Sequence, residues 1–144
     1  MYVAKIESTT PVRMYSRVGL PAPLHATAVG KVLLAELPTR HRDALVDGID
    51  FHAHTDRTIT DPAAYRAELD AVRERGWAED AAEHESFVNC VAAPVHDTDG
   101  RVLAAVSVSV PDVILPHDDV VALLPQVLEA TAAIAADWAA HDQP

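Results

Sequence analysis

The residues best suited to chemistry gather in one stretch, Cys90 to Pro111 (CVAAPVHDTDGRVLAAVSVSVP), which holds the chain's single cysteine and two serines at alternate positions. Alternation with period 2 puts Ala105, Ser107 and Ser109 on one face of a strand and Val106, Val108 and Val110 on the other. Small side chains with hydroxyls leave volume walled by donors and acceptors, which suits hydrogen bonding to a small ligand. Asp97-Thr98-Asp99-Gly100 supplies a tight turn, so the stretch reads as a hairpin. With His96 opposite Arg101, counting back sets Cys90 opposite Ser107. Cys90, Ala92, Ala105, Ser107 and Ser109 then form one shallow floor. The same pattern also serves a hairpin whose small face accepts a close-packed helix, with Cys90 as a small buried hydrophobe. We read the floor as the seat of a small molecule.

Two other constellations carry chemical residue types. His52-Ala53-His54, with Asp56 nearby, has a spacing that a loop can turn onto one metal ion. Scattered loop histidines are the plainer reading, and no metal is expected. His25 is expected to bond backbone. Glu83 and His84 near Cys90 have the types needed for thiol catalysis, but no oxyanion motif or base-orienting residue accompanies them. The chain is therefore read as not an enzyme, with a cysteine-dependent small-molecule hydrolase as the alternative. No glycine-rich phosphate loop follows a strand, and no cofactor is implied.

The elements that must position the floor follow from period and punctuation. Residues 2–20 read as a hairpin turning near Thr9-Thr10-Pro11, with Tyr2, Ala4 and Ile6 on one face of the first arm. Val12, Met14 and Val18 are the inward set of the second arm, with Arg13 and Arg17 at solvent-facing or edge positions. After Pro21-Ala22-Pro23 a helix runs to about Leu37, with Val29, Val32, Leu33 and Leu37 inward and Gly30 at a tight packing point. Thr39 caps a short helix to about Asp47, with Leu45 and Val46 inward. Asp61-Pro62 opens the clearest helix, with Tyr65, Leu69 and Val72 as its buried stripe, Arg66, Glu68, Arg73 and Glu74 facing water, and Gly76 as its stop. Trp77 to Val88 is a strand and an acidic loop. The last helix runs from about Asp118 towards Trp138, its stripe Leu124, Val127, Leu128, Thr131, Ile134 and Trp138, and it is broken or kinked at Pro125. His141 to Pro144 form a frayed tail. The order β-β-α-α-α-β-β-β-α implies an α+β fold, a mixed or antiparallel sheet with helices packed on it.

At 144 residues the chain suffices for one domain with a real core. Its formal charge of −11 argues against direct contact with nucleic-acid phosphates. One cysteine excludes an internal disulfide framework and fits a reducing cytoplasm. No apolar run is read as approaching a transmembrane span, and no signal peptide opens the chain, so no membrane partner is expected.

The run Gly76-Trp77-Ala78-Glu79-Asp80-Ala81-Ala82-Glu83, followed six residues later by Cys90-Val91-Ala92-Ala93-Pro94-Val95-His96-Asp97, resembles the signature of the IclR family of bacterial transcriptional regulators. Leu24-His25-Ala26-Thr27-Ala28-Val29-Gly30-Lys31, Arg57-Thr58-Ile59-Thr60 and Val106 to Pro111 resemble further segments of that family in the same order, over essentially the whole chain. The resemblance implies a GAF-like effector-binding domain, residues 1–144, that senses a small organic or aromatic acid and forms homodimers or homotetramers. It also implies that DNA is read by an N-terminal winged helix-turn-helix absent from this chain, because Met1 directly precedes the first strand. The mechanism it implies is a population shift of those DNA-binding heads. A ligand-free oligomerisation module is the third reading.

Carried over residue by residue, the family's effector contacts fall on the backbone of Ala28 and Val29, on Asp80 and Cys90, and on Ser107 and Ser109. A helix N-terminus offers unpaired N–H groups to a carboxylate. Asp80 would repel a carboxylate, and suits a ligand hydroxyl or a loop anchor. Phe87 stands where the family usually has glycine, and is expected to cap, shrink or line the pocket.

Overall fold

The computed structural model of the chain describes residues 1–9 and 16–141. Five helices and three strands follow one another: α1 (Ala28–Ala35), α2 (Thr39–Asp47), α3 (Pro62–Arg75), β1 (Ala78–Ala81), β2 (Val88–His96), β3 (Val102–Pro111), α4 (His117–Val121) and α5 (Leu124–His141). The strands form one antiparallel sheet in the order β1-β2-β3. This is the expected α+β class. One face of the sheet presents Ala78, Cys90, Ala92 and Ala105 to a core completed by α1, α2 and α3. The other presents Val91, Ala93, Val108 and Val110 to Val120 of α4 and Val127 of α5.

The helices start and stop where local chemistry dictates. The Asp61 side chain accepts the Ala64 N–H at 2.7 Å, Pro62 fills the first turn of α3, and Gly76 closes it in the left-handed region at φ 79°. Tyr65, Leu69 and Val72 are buried as expected. Glu68, expected in water, is instead half-buried and accepts from Arg75 at 2.9 Å. Thr27, in extended backbone, caps α1 by accepting the Gly30 N–H at 3.2 Å. Gly30 is required by contact: a Cβ there would lie 2.5 Å from the Leu24 carbonyl oxygen and 2.7 Å from its Cα. That carbonyl is held in place by the Tyr65 hydroxyl, which donates to it at 2.6 Å.

Several expectations are corrected. In α1 the buried residues include Leu34 and Lys31, while Val29, Leu33 and Leu37 are half-buried. The helix is covered by both α3 and the sheet, so a one-stripe reading misplaces its inner face. Thr39 is the first helical residue of α2, whose cap position is Pro38, and only Val46 of the Leu45–Val46 pair is buried.

Residues 1–9 and 16–20 form no strand. The base of the expected hairpin is nevertheless paired, because Tyr2 N–H donates to Leu20 O at 3.0 Å and Gly19 N–H to Tyr2 O at 2.9 Å. Val18, expected inward, is exposed, and so is Ile6. Thr10, Pro11, Val12, Arg13 and Met14 lie outside the described residues, as does the end of the tail.

The last helix is broken as expected, into α4 and α5, with Pro125 in the first turn of α5. Only Val127 and Thr131 of its stripe are buried, and Leu128, Ile134 and Trp138 are exposed. By length and composition His117–His141 is long and apolar enough to cross a membrane, which corrects the reading that no segment approaches that length.

Candidate functional site

The hairpin register differs from the count along the sequence. Cys90 stands opposite Ser109, not Ser107, while Ala92 faces Ser107 and Pro94 faces Ala105. The turn is longer than four residues. Residues 97–101 close it, with Asp97 N–H donating to Arg101 O at 2.8 Å, and an irregularity falls between Val95 and His96. The slip is two residues, an even number, so every side chain keeps its face.

The floor extends across all three strands. Asp80 is opposite Cys90, and Cys90 is opposite Ser109, which makes one straight row. Ala78, Ala92 and Ser107 make the next row on the same face. Ala28 and Val29, at the start of α1, pack in the same core as Ala92, Cys90 and Ala105. As the first two residues of the helix, their N–H groups have no intrahelical acceptor. The structure therefore brings the start of α1, Asp80, Cys90 and the two serines to one side of the sheet. Phe87 lies just before β2, half-exposed, and its carbonyl accepts the Asp112 N–H at 2.9 Å.

Asp80 anchors the loop that follows β1. Its Oδ1 accepts the N–H of Glu83 at 2.6 Å and of His84 at 3.3 Å, and the Cys90 Sγ donates to its Oδ2 at 3.8 Å. Burial pushes its carboxyl up to about 6, against the lowering pull of the Glu83 N–H. Burial, and then the charge of Asp80, pushes the Cys90 thiol up. That is the reverse of what a nucleophilic thiolate needs.

Sequence reasoning missed the fastenings of this loop. Lys31 is buried, and its Nζ donates to Glu83 Oε1 at 2.5 Å and to the Glu79 carbonyl at 3.0 Å. Burial nonetheless holds Glu83 above the ordinary carboxylate range, with Lys31 pulling the other way, and Glu83 Oε2 has no hydrogen-bond partner among the described residues. Thr55 donates to Ala82 O at 2.8 Å and Thr58 to Glu83 O at 2.6 Å. Ala82, which opens the loop, sits in the left-handed region at φ 59°. Tyr2 is half-buried. Burial, followed by the charges of Cys90, Asp80 and Glu85, raises its phenol.

The histidines converge more than their spacing suggests. His54 has its ring 5.4 Å from that of His25, 5.2 Å from His52 and 5.1 Å from His84. Among the described residues, no group of three or more His, Cys, Asp or Glu is placed to hold a metal ion. His25 does bond backbone, with Nε2 2.9 Å from the His52 carbonyl oxygen. Burial, and then the neighbouring imidazoles, lowers His54, and the same causes lower His84.

A cleft of about 630 Å³ lies apart from the floor, and none of Ala28, Asp80, Cys90, Ser107 or Ser109 lines it. It opens beside residues 55–57 and 112–117, with Asn89 of β2 in its wall.

Residues 1–136 match the model of the family described as bacterial transcriptional regulator IclR C-terminal. The chain is 38% identical over 144 residues to the HTH-type transcriptional regulator KdgR of Escherichia coli (strain K12), covering 100% of this chain and 55% of that relative. It thus spans about half the length of such relatives. Among solved structures it resembles the C-terminal domain of E. coli KdgR, with a TM-score of 0.77 and 34% identity over 85% of this chain and 74% of that one. It also resembles the inducer-binding domain of a double mutant of the PobR transcription factor from Acinetobacter, solved as a complex with 3-hydroxybenzoic acid. There the TM-score is 0.77 and the identity 29%, over 86% of this chain and 71% of that one.

Proposed function

This chain belongs to the IclR family of bacterial transcriptional regulators, a family of regulators and not of enzymes, and we propose that it is the part that senses a small organic acid. The observation that supports this most is the row Asp80–Cys90–Ser109, which runs straight across the sheet on the face packed against α1. A carboxylate seats on the Ala28 and Val29 N–H groups, where the helix dipole favours negative charge. Ser107 and Ser109 hydrogen-bond its remaining oxygens. Asp80, buried and already bonded to two N–H groups, accepts from a ligand hydroxyl and keeps the loop 82–87 in place. Phe87 shapes the rim and Cys90 contributes a small uncharged wall. The PobR complex supports the ligand class, because an aromatic hydroxy acid occupies that related domain. In the whole protein, effector binding shifts the balance between arrangements of identical subunits, and DNA is read by a helix-turn-helix part of the cytoplasmic regulator outside this chain.

Calorimetry tests the site with 3-hydroxybenzoate and a panel of aliphatic hydroxy and keto acids as probes. The acid that binds should lose at least about tenfold in affinity when Ser107→Ala and Ser109→Ala are combined, with the unfolding midpoint unchanged. Unchanged affinity rejects the floor. No thermal stabilisation by any acid at millimolar concentration favours a ligand-free oligomerisation domain, because a ligand well above its Kd must raise the midpoint.

A further inference from the structure

The cleft beside loop 82–87 contains polar groups that the effector reading does not use. Asn89 is 4% exposed, yet its carboxamide makes no hydrogen bond among the described residues. The carboxamide is not sealed from solvent, and Asn89 lines the cleft. The strand's alternation puts it on the opposite face of the sheet from Cys90 and Ala92, so this volume is separate from the effector floor.

The rim carries charges of both signs. Arg57, Asp56 and Asp112 line the cleft, and their charged groups have no side-chain partner among the described residues. His117, also in the lining, is already engaged, with Nε2 2.9 Å from Glu79 Oε2 and Nδ1 3.2 Å from Asp118 Oδ1. A simple anion would gain Arg57 but face both aspartates. A simple cation would meet the reverse. The arrangement suits a molecule with both charges and an amide-like head. The cleft's volume is also in the range of small-molecule sites, about 300–1,000 Å³.

We propose that this cleft is a second small-molecule site, taking an amino-acid-like zwitterion. Its carboxylate lies on Arg57, its ammonium on Asp112 and Asp56, and a donor–acceptor head on the Asn89 carboxamide. The test is a two-dimensional amide NMR titration of the 144-residue chain with each of the twenty free amino acids as probes, up to about 20 mM, a concentration chosen to catch millimolar binding. At least one, with L-asparagine and L-glutamine the leading candidates, should shift residues 55–57, 86–89 and 112–117 saturably. Arg57→Met and Asn89→Leu should each weaken that binding at least about tenfold. Arg57 is exposed, so Arg57→Met keeps the test sound if Asn89→Leu disturbs the strand. The proposal is overturned if no amino acid shifts these residues, if the shifts survive both variants, or if they appear at residues 28–29 and 107–109 instead. The acid-binding reading of the floor is tested by different probes and variants, so either can fail alone.

Discussion

On the α1 side of the sheet the fastenings are polar and individually specific: a capping threonine, a buried lysine on a buried glutamate, and an aspartate holding two N–H groups. On the α5 side they are almost wholly apolar. Val91, Ala93, Val120 and Val127 are buried together, while Leu128, Ile134 and Trp138 of the same helix stay exposed. Apolar contact is non-directional and supplies stability without fixing individual atoms. Polar contact in a buried setting demands particular partners, and so fixes the start of α1 and the loop 82–87 relative to the strands. The side that must present donors and acceptors at defined points is built from interactions that themselves have defined points.

The largest expected effect breaks the polar side. Lys31→Ala removes the cation from buried Glu83, whose Oε2 is already without a hydrogen-bond partner among the described residues. Breaking a buried pair by removing one member costs about 3–5 kcal/mol, moderated here as Glu83 takes up a proton. Urea denaturation should show that loss, and Lys31→Met combined with Glu83→Leu should lose less than Lys31→Ala alone. Equal losses would mean that the pair's charges matter less than the packing of the lysine stem.

Asp80 gives the next effect, and it depends on pH. Its folded value of about 6 lies above the ordinary 3.8, so the fold disfavours its charged form. The sign follows: this group's contribution to stability grows as pH falls through about 6, and is complete below 3.8. His54 and His84, lowered from 6.5, act oppositely and lose stability as pH falls below 6.5. Asp80→Asn removes only the first trend while keeping an oxygen for the Glu83 N–H. The stability of the variant relative to the parent should therefore rise by at most about 3 kcal/mol between pH 4 and pH 7.5. A difference that is flat with pH would show that Asp80 titrates normally.

What the sequence made legible follows the same division. Period 2 placed Cys90, Ala92, Ala105, Ser107 and Ser109 on one face, and that survived a register error because the error was even. Asp61-Pro62 and Gly76 marked α3 because caps are local chemistry. The polar fastenings were not legible. Lys31 and Glu83 are 52 residues apart, and Thr58 and Glu83 are 25 apart. No local rule pairs them. The four histidines come from three separate segments, so their spacing in sequence carried no sign of their convergence. The family signature supplied Asp80 and the start of α1 where period and capping rules could not. The exposed stripe of α5 was misread for a different reason. Helical period reveals an apolar stripe but not how much of it the chain's own sheet can cover.

The smallest expected effect lies on that stripe and sharpens the contrast most. Trp138 is half-exposed, so Trp138→Gln removes little that the folded chain buries. Exposed substitutions away from caps and buried networks usually stay within about 0.5 kcal/mol. Urea denaturation of dilute protein should therefore be nearly unchanged, against the loss of several kcal/mol expected for Lys31→Ala. Repeating the measurement over a hundredfold range of concentration separates two roles for the stripe. A midpoint that rises with concentration in the parent, but not in Trp138→Gln, places the face in subunit association, because association stabilises by mass action. A midpoint independent of concentration in both leaves the face as surface, and assigns the order of this domain to its polar side and the core beneath it.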